Sequence, residues 1–320
     1  MRHSSFLTIH PESFEKEALI RFKQHYELLP IYRKYAQLLS RTPENVRSLQ
    51  EIPFLPISFF KSHQILHQNL SAKDYFASSG TTGQLSRSKH YFESLTDYEL
   101  SFTTFFEKNY GPIEELRLLA LLPSYKEQQH SSLIYMIDSL LKRALPGSGY
   151  FKDDYASLTA ALQEPGKKLL IGVTYALLDF AETKAMPLAD TIIMETGGMK
   201  GRRKELVRAE VHEALTRAFG IEHIHSEYGM TELFSQAYAA KDGIFTPAPW
   251  MKVLIRETED PLSYVPEGRT GGINIIDLAN TQSCSFIATE DLGKVYADGT
   301  FEVLGRFDTA EVRGCNLLMA

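Results

Sequence analysis

The chain has 320 residues, 43% of them hydrophobic and 23% charged. That is ordinary globular composition, long enough for one large α/β domain or two average ones, and it excludes a disordered or fibrous chain. Lys+Arg at 34 against Asp+Glu at 40 leaves a formal charge of -6, which argues against a nucleic-acid binder. Two cysteines, Cys284 and Cys315, cannot supply a disulfide framework. The first residues hold no apolar core of signal-peptide length, and no run of about 18 apolar residues occurs. The expectation is a reduced, cytoplasmic protein without a membrane span.

The first 40 residues read as helix, with Phe14, Ala18, Leu19, Phe22, Tyr26 and Leu29 forming one stripe and Pro30 interrupting it. Pro53 and Pro56 then impose an extended loop in EIPFLPISFFKSHQ. Thr96-Asp97-Tyr98-Glu99 reads as a capping box that opens a helix bearing Phe102, Phe105 and Phe106. From residue 116 short apolar runs alternate with helical stretches. LRLLALL, KLLIGV and DTIIME read as buried strands, and SSLIYMIDSLLKRAL and KELVRAEVHEALTRAF as helices between them, which predicts a mostly parallel sheet with helical crossovers. Beyond residue 245, KVLIRETED, GGINIIDL, SCSFIATE and KVYADGTFEVLGR read as antiparallel strands joined by tight turns, with Asp298-Gly299 in a hairpin. No linker or repeat separates these parts, so one composite domain is expected.

Four segments carry candidate chemistry. In Ser78-Ser79-Gly80-Thr81-Thr82-Gly83, two glycines free backbone N–H groups and four hydroxyls add donors, which suits a polyphosphate; a small-residue turn explains the hexamer alone. No Gly-Lys-Ser/Thr follows, so it is not a Walker A loop. Glu227-Tyr228-Gly229-Met230-Thr231-Glu232, after the strand-like EHIHS, offers a stacking ring, a close-approach glycine and an oxygen ligand for Mg2+, or else a capped turn. Asp291, in Thr289-Glu290-Asp291-Leu292-Gly293, and Arg306, in Gly305-Arg306-Phe307-Asp308, could hold a ribose; alone, each reads as a turn or a surface ion pair. His130 beside Ser131 and Ser132 lacks a nucleophile elbow, and His212, His223 and His225 lack the partner spacing of a metal site.

Together and in this order, the four segments resemble the adenylate-forming superfamily of acyl-CoA synthetases, luciferases and nonribosomal peptide adenylation domains. IPFLPISFFKSH, SSGTTG, ETGGMKGRRKEL, EYGMTE and GRFDTAEVRGCNLL are similar to its LuxE-like acyl-protein synthetase branch, over roughly residues 50 to 320. The resemblance implies an adenylate-forming α/β fold, mostly parallel sheets with a β-rich C-terminal part, lacking the small C-terminal lid that carries a catalytic lysine. The expected division is an adenylation domain over 1–304, with a helical segment over about 1–50, then a hinge and cysteine-containing tail over 305–320.

The resemblance also assigns roles. Ser78 to Gly83 would hold the β- and γ-phosphates of ATP, Gly197-Gly198-Met199 would wall the adenine pocket, and Tyr228 with Gly229 would pack on the base. Thr231 would contact the α-phosphate, Glu232 would bind Mg2+, and Asp291 and Arg306 would hold the ribose. Where relatives have Pro-Lys after the glycine loop, this chain reads Gln84-Leu85-Ser86-Arg87-Ser88-Lys89, so the phosphate-side cation is Arg87 or Lys89. Lys200 and Arg202 are candidates for the missing lysine's task, or else a solvated basic surface.

The implied reaction is activation of a carboxylic acid, a fatty acid first, to an acyl-adenylate. Transfer to a thiol follows, with Cys315 taking the acyl group for delivery to an acyl-CoA-reductase-like partner. Cys315 as a small buried hydrophobe stays open, as do a conventional acyl-CoA ligase and a catalytically inactive nucleotide-binding homologue. Gly172-Val173-Thr174-Tyr175-Ala176-Leu177-Leu178 is the segment that could line an acyl tunnel or simply pack the core, and Cys284 is expected to be buried.

Overall fold

A computed structural model describes residues 5–78, 87–124, 128–197 and 206–307. In chain order the helices are α1 (Phe14–Leu28), α2 (Pro30–Leu38), α3 (Phe59–Ser62), α4 (Thr96–Tyr110), α5 (Ser132–Leu141), α6 (Tyr155–Gln163), α7 (Thr174–Thr183) and α8 (Arg208–Phe219). The strands are β1 (Leu55–Pro56), β2 (Asp74–Ala77), β3 (Lys89–Phe92), β4 (Arg117–Leu121), β5 (Gly149–Tyr150), β6 (Lys168–Val173) and β7 (Thr191–Thr196). They continue with β8 (His225–Tyr228), β9 (Ala237–Ala239), β10 (Ile244–Pro247), β11 (Met251–Arg256), β12 (Gly271–Asp277), β13 (Phe286–Val295) and β14 (Phe301–Arg306).

One sheet runs in the order β11-β12-β13-β14-β10-β9-β8-β7-β6-β4-β5, with β1 alongside β13, and β2-β3 form a separate ribbon. Its β5-β4-β6-β7-β8 half is parallel. From β8 to β11 every neighbouring pair on that path is antiparallel. The alternation of apolar runs and helices after residue 116 thus gives the expected parallel sheet, and β6 is buried at all six positions because helices cover both faces. Leu177, Phe180, Leu215 and Phe219 of α7 and α8 pack with Leu170 and Ile193 on one face. Phe102, Phe105 and Phe106 of α4 belong to the larger core, which is continuous with the β-rich part.

The break at Pro30 is as expected, and two other local readings change. The N-terminal stripe divides at Leu29, and Pro30 occupies the first turn of α2, where its missing N–H costs no hydrogen bond. Thr96 is the first residue of α4 rather than its cap; the Ser94 hydroxyl accepts from Thr96 N–H, while Asp97 is buried and accepts from Thr281 Oγ1. Phe286 to Val295, from within SCSFIATE to the start of KVYADG, form one ten-residue strand, β13, and Asp291-Leu292-Gly293 lies inside it at a register shift instead of in a turn. A Cβ at Gly293 would stand 2.2 Å from the Glu302 carbonyl oxygen, so only glycine permits this approach of β14. Among the described residues no helix is long and apolar enough to cross a membrane.

Candidate active site

Parallel sheets present ligands at the carboxyl ends of their strands, and there β6, β7 and β8 deliver Thr174, Glu195 to Gly197, and Tyr228. Thr174 Oγ1 lies 2.8 Å from both the Gly197 carbonyl and Glu195 Oε2, and Gly197 adopts φ +69°, which favours glycine. Glu195 is almost fully buried. Burial alone would raise its pKa, but hydrogen bonding to His212 and the Arg208 guanidinium 3.4 Å away bring it below the usual value. Glu227, on the next strand, is pushed up to about 7 by burial, against a 2.5 Å hydrogen bond donated by Thr196 Oγ1. Its carboxyl occupies the space that a Cβ on Gly229 would need, at 2.5 Å. The glycine of the Tyr-Gly pair therefore accommodates its own chain neighbour.

Tyr228 is on β8 rather than after it, because His225 to Glu227 extend the parallel pairing with β7. Its ring is buried against Phe245 and Phe301, at 5.8 and 5.5 Å between centroids. Its hydroxyl donates to Asp291 Oδ2 at 2.7 Å. Asp291 pairs with Arg306 in the β13–β14 register, and Arg306 Nε stands 3.5 Å from Asp291 Oδ1. Burial raises the Asp291 pKa, and the Tyr228 hydrogen bond and then the Arg306 charge oppose the rise. Tyr228, Asp291 and Arg306, 63 and 78 residues apart from Tyr228 in sequence, are thus one cluster.

The glycine-rich loop enters the same place through its stem. Ser78 N–H donates to the Ser88 carbonyl at 3.1 Å, and Ser88 N–H donates back to Ser78 Oγ at 3.2 Å. The Ser88 hydroxyl is hydrogen-bonded to Glu232, which is 4% exposed and whose pKa burial raises against that bond. His90, next along β3, has Nδ1 2.9 Å from the Thr231 carbonyl and is held neutral by burial, its pKa pulled down to about 4. Asp277, at the end of β12, accepts from Phe234 N–H at 2.6 Å and from Ser235 N–H and Oγ at 3.0 and 2.5 Å, anchoring the turn that carries Thr231 and Glu232. Ser88, His90 and Asp277 belong to no motif and were legible only in three dimensions.

Lys61, in α3, lies within IPFLPISFFKSH but has no role assigned to it there. It lies 3.9 Å from Glu290, and its charge, like that of Arg306, reaches Glu232. Glu232 offers a carboxylate to a cation, and among the described residues no group of three or more His, Cys, Asp or Glu side chains could complete a metal site. A lone carboxylate fits Mg2+, which usually takes its other ligands from phosphate and water. Ser79 to Gly83, Gly198, Met199, Lys200, Arg202 and Cys315 lie outside the described residues. Cys284 is buried and burial pushes its thiol up to about 12, so it is no nucleophile at neutral pH. His130 stacks on Tyr75 at 4.5 Å and points Nδ1 at the Tyr75 carbonyl, 3.0 Å away.

The family model for acyl-protein synthetase, LuxE, matches residues 10–96 and 166–320. The chain belongs to this family. A long-chain-fatty-acid–luciferin-component ligase of Photorhabdus luminescens is 34% identical over 70 residues, which are 22% of this chain and 60% of that protein. This LuxE-family chain therefore matches less than two thirds of the relative's length. Among solved structures, an open conformation of 2-hydroxyisobutyryl-CoA ligase in complex with 2-HIB-AMP and CoA superposes with a TM-score of 0.66 at 15% identity, covering 94% of this chain and 77% of that one. ATP-bound MatB from Rhodopseudomonas palustris gives 0.55 at 17% identity, covering 72% and 47%. At such identities the likeness establishes the fold, the N-terminal-domain type of adenylate-forming ligases.

Proposed function

We propose that this protein activates a carboxylic acid, a fatty acid first, with ATP and Mg2+, and passes the acyl group to a thiol. The supporting observation is convergence: the stem of the glycine-rich loop, Glu232, Tyr228, Asp291 and Arg306 form one connected cluster at the carboxyl ends of the parallel strands. Each piece explained itself as a turn or a surface ion pair in isolation; four unrelated segments have no reason to be joined by hydrogen bonds and an ion pair.

In this reading the loop after Ser78 cradles the β- and γ-phosphates, with Arg87 or Lys89 beside them. Gly197, Gly198, Met199 and Tyr228 bound the adenine, and Asp291 accepts the ribose hydroxyls while Arg306 donates to the same sugar. Thr231 holds the α-phosphate. Mg2+ at Glu232 would neutralise charge that builds on the phosphates. The acid's carboxylate oxygen attacks the α-phosphorus, the bond to the bridging oxygen breaks, and pyrophosphate leaves. Positioning and charge neutralisation do this work. Lys200, by its place in the sequence, and Lys61, whose charge reaches Glu232, are the candidate cations for it. The Cys315 thiolate then attacks the acyl carbonyl, AMP leaves, and a thioester holds the acyl group for a reductase-like acceptor.

The test of the second step is Cys315→Ala. Pyrophosphate exchange should persist while hydroxylamine-labile acylation of the protein disappears. Undiminished labelling of that variant would remove Cys315 from the reaction.

A further inference from the structure

Beside the nucleotide cluster, a cavity of about 210 Å3 opens between the segment from Tyr35 to Ser58 and the β-rich part. Its walls are largely apolar, with Phe54, Ile57, Pro261 and Leu262 among them, and Arg256 lines it as well. Arg256 is 9% exposed, yet among the described residues no carboxylate lies within ion-pair distance of it. A buried guanidinium without an ion-pair partner is costly, and burial lowers its pKa, with the more distant Asp291 charge among the groups that oppose the fall.

The site is built around that group. A Cβ at Gly272 would meet Arg256 Cζ at 2.5 Å, so glycine lets the guanidinium lie on the strand backbone, and the Phe307 ring covers it with the centroid 5.3 Å from Cζ. Nη1 donates to the Ile273 carbonyl at 2.8 Å and to Asn274 Oδ1 at 2.9 Å, and Nη2 to the Thr289 carbonyl at 2.6 Å. Three of five N–H groups are thereby used, all on neutral acceptors. Nε and one Nη2 hydrogen remain, on the adjacent nitrogens that grip a carboxylate side-on. The acidic residues of the lining are engaged elsewhere: Glu51 Oε2 accepts from Arg47 and Ser48 N–H, and Glu290 faces Lys61. Arg41 adds a second positive charge to the wall.

We infer that this cavity binds a small amphiphilic carboxylate, its headgroup on Arg256 and its apolar body among the prolines and Phe54. The volume is far above the roughly 10–15 Å3 of space that one water needs on the same measure, enough for a short acyl chain. The site stands beside the nucleotide cluster: Thr289 and Glu290 of its lining immediately precede Asp291 on β13, and Phe307 N–H donates to the Glu290 carbonyl at 2.7 Å. An occupant neutralising Arg256 would brace the strand that carries Asp291 and the hinge residue that follows Arg306.

The experiment is calorimetric titration of the full chain with hexanoate, with inorganic phosphate as a headgroup without a body and hexanol as a body without a headgroup. Hexanoate is expected to bind, with a loss of at least tenfold in Arg256→Met and a smaller loss in Arg256→Lys, which keeps the charge without the fork. Leu262→Trp, at an exposed position of the wall, should also weaken hexanoate while leaving Arg256 and the fold in place, which guards against misfolding of the arginine variants. Failure of hexanoate to bind the wild type overturns the assignment. So does binding equal to that of phosphate or hexanol, or binding that survives both Arg256→Met and Leu262→Trp. The last result would place the acid elsewhere, in the acyl site of the proposed reaction, and would leave that reading standing.

Discussion

Removing the Tyr228 hydroxyl tests the cluster at its centre. Tyr228→Phe deletes one 2.7 Å hydrogen bond to Asp291 Oδ2 and no packing, since the ring keeps Phe245 and Phe301. A hydrogen bond to a charged group contributes about 1.5–3 kcal/mol. Arg306 offers little compensation, because its side chain is 82% exposed and solvent screens the pair. The expected cost is therefore about 2 kcal/mol at pH 7.5. The pH dependence carries a sign. Burial already holds the folded pKa of Asp291 above its ordinary value, so the folded state binds more protons than the unfolded one between those two values. Stability contributed here accordingly falls as pH rises through that window. Losing the hydroxyl raises the folded pKa further and deepens the fall. Urea unfolding of wild type and variant from pH 7.5 downward reads the difference, which should narrow as pH falls into the range where Asp291 takes up its proton and the bond becomes a neutral one. A cost below about 0.5 kcal/mol at pH 7.5, or one independent of pH, would refute the coupling.

Three other outcomes follow from the same structure. Gly293→Ala drives a Cβ to 2.2 Å from a backbone carbonyl of β14, where no side chain can yield, so a loss of about 3 kcal/mol or more and a clear drop in melting temperature are expected; an unchanged thermal transition by circular dichroism would mean that the strands separate freely. Asp277→Ala strands the Phe234 and Ser235 N–H groups in the core at about 1–3 kcal/mol each, and because the turn with Thr231 and Glu232 loses its anchor, exchange activity should fall more than tenfold even at temperatures where the variant stays folded; full activity in a folded variant would contradict the anchoring role. His67 and His90 are held neutral with pKa values near 4, so the unfolded chain takes up protons that the folded chain refuses between about pH 6.5 and 4, and each ring withdraws up to about 3 kcal/mol of stability as pH falls through that range. His90→Gln should flatten this dependence in chemical denaturation, and an unaltered slope would show that another group titrates.

Much of the site could be read from the chain because its motifs are contiguous, and their order alone suggested that they meet. The apolar runs at 168–173 and 190–195 likewise became β6 and β7 within a residue, since strands buried on both faces leave little but apolar side chains. The connections between motifs were not legible. Ser88, His90 and Asp277 act across 144, 141 and 43 residues, and a lone serine, histidine or aspartate carries no local signal of its partner. Asp291-Leu292-Gly293 has turn-like composition, but the pairing of β14 across it makes it strand. Arg256 reads as an ordinary strand arginine until Gly272 and Phe307, 16 and 51 residues on, close over it.

The central claim is that the connected cluster serves acid activation. Acid-dependent ATP–pyrophosphate exchange with Mg2+, measured across carboxylic acids of graded chain length and without CoA, tests it most directly. Exchange stimulated by one class of acid in the wild type, and lost in Asp291→Ala, is the predicted result. ATP binding with no exchange for any acid would contradict it.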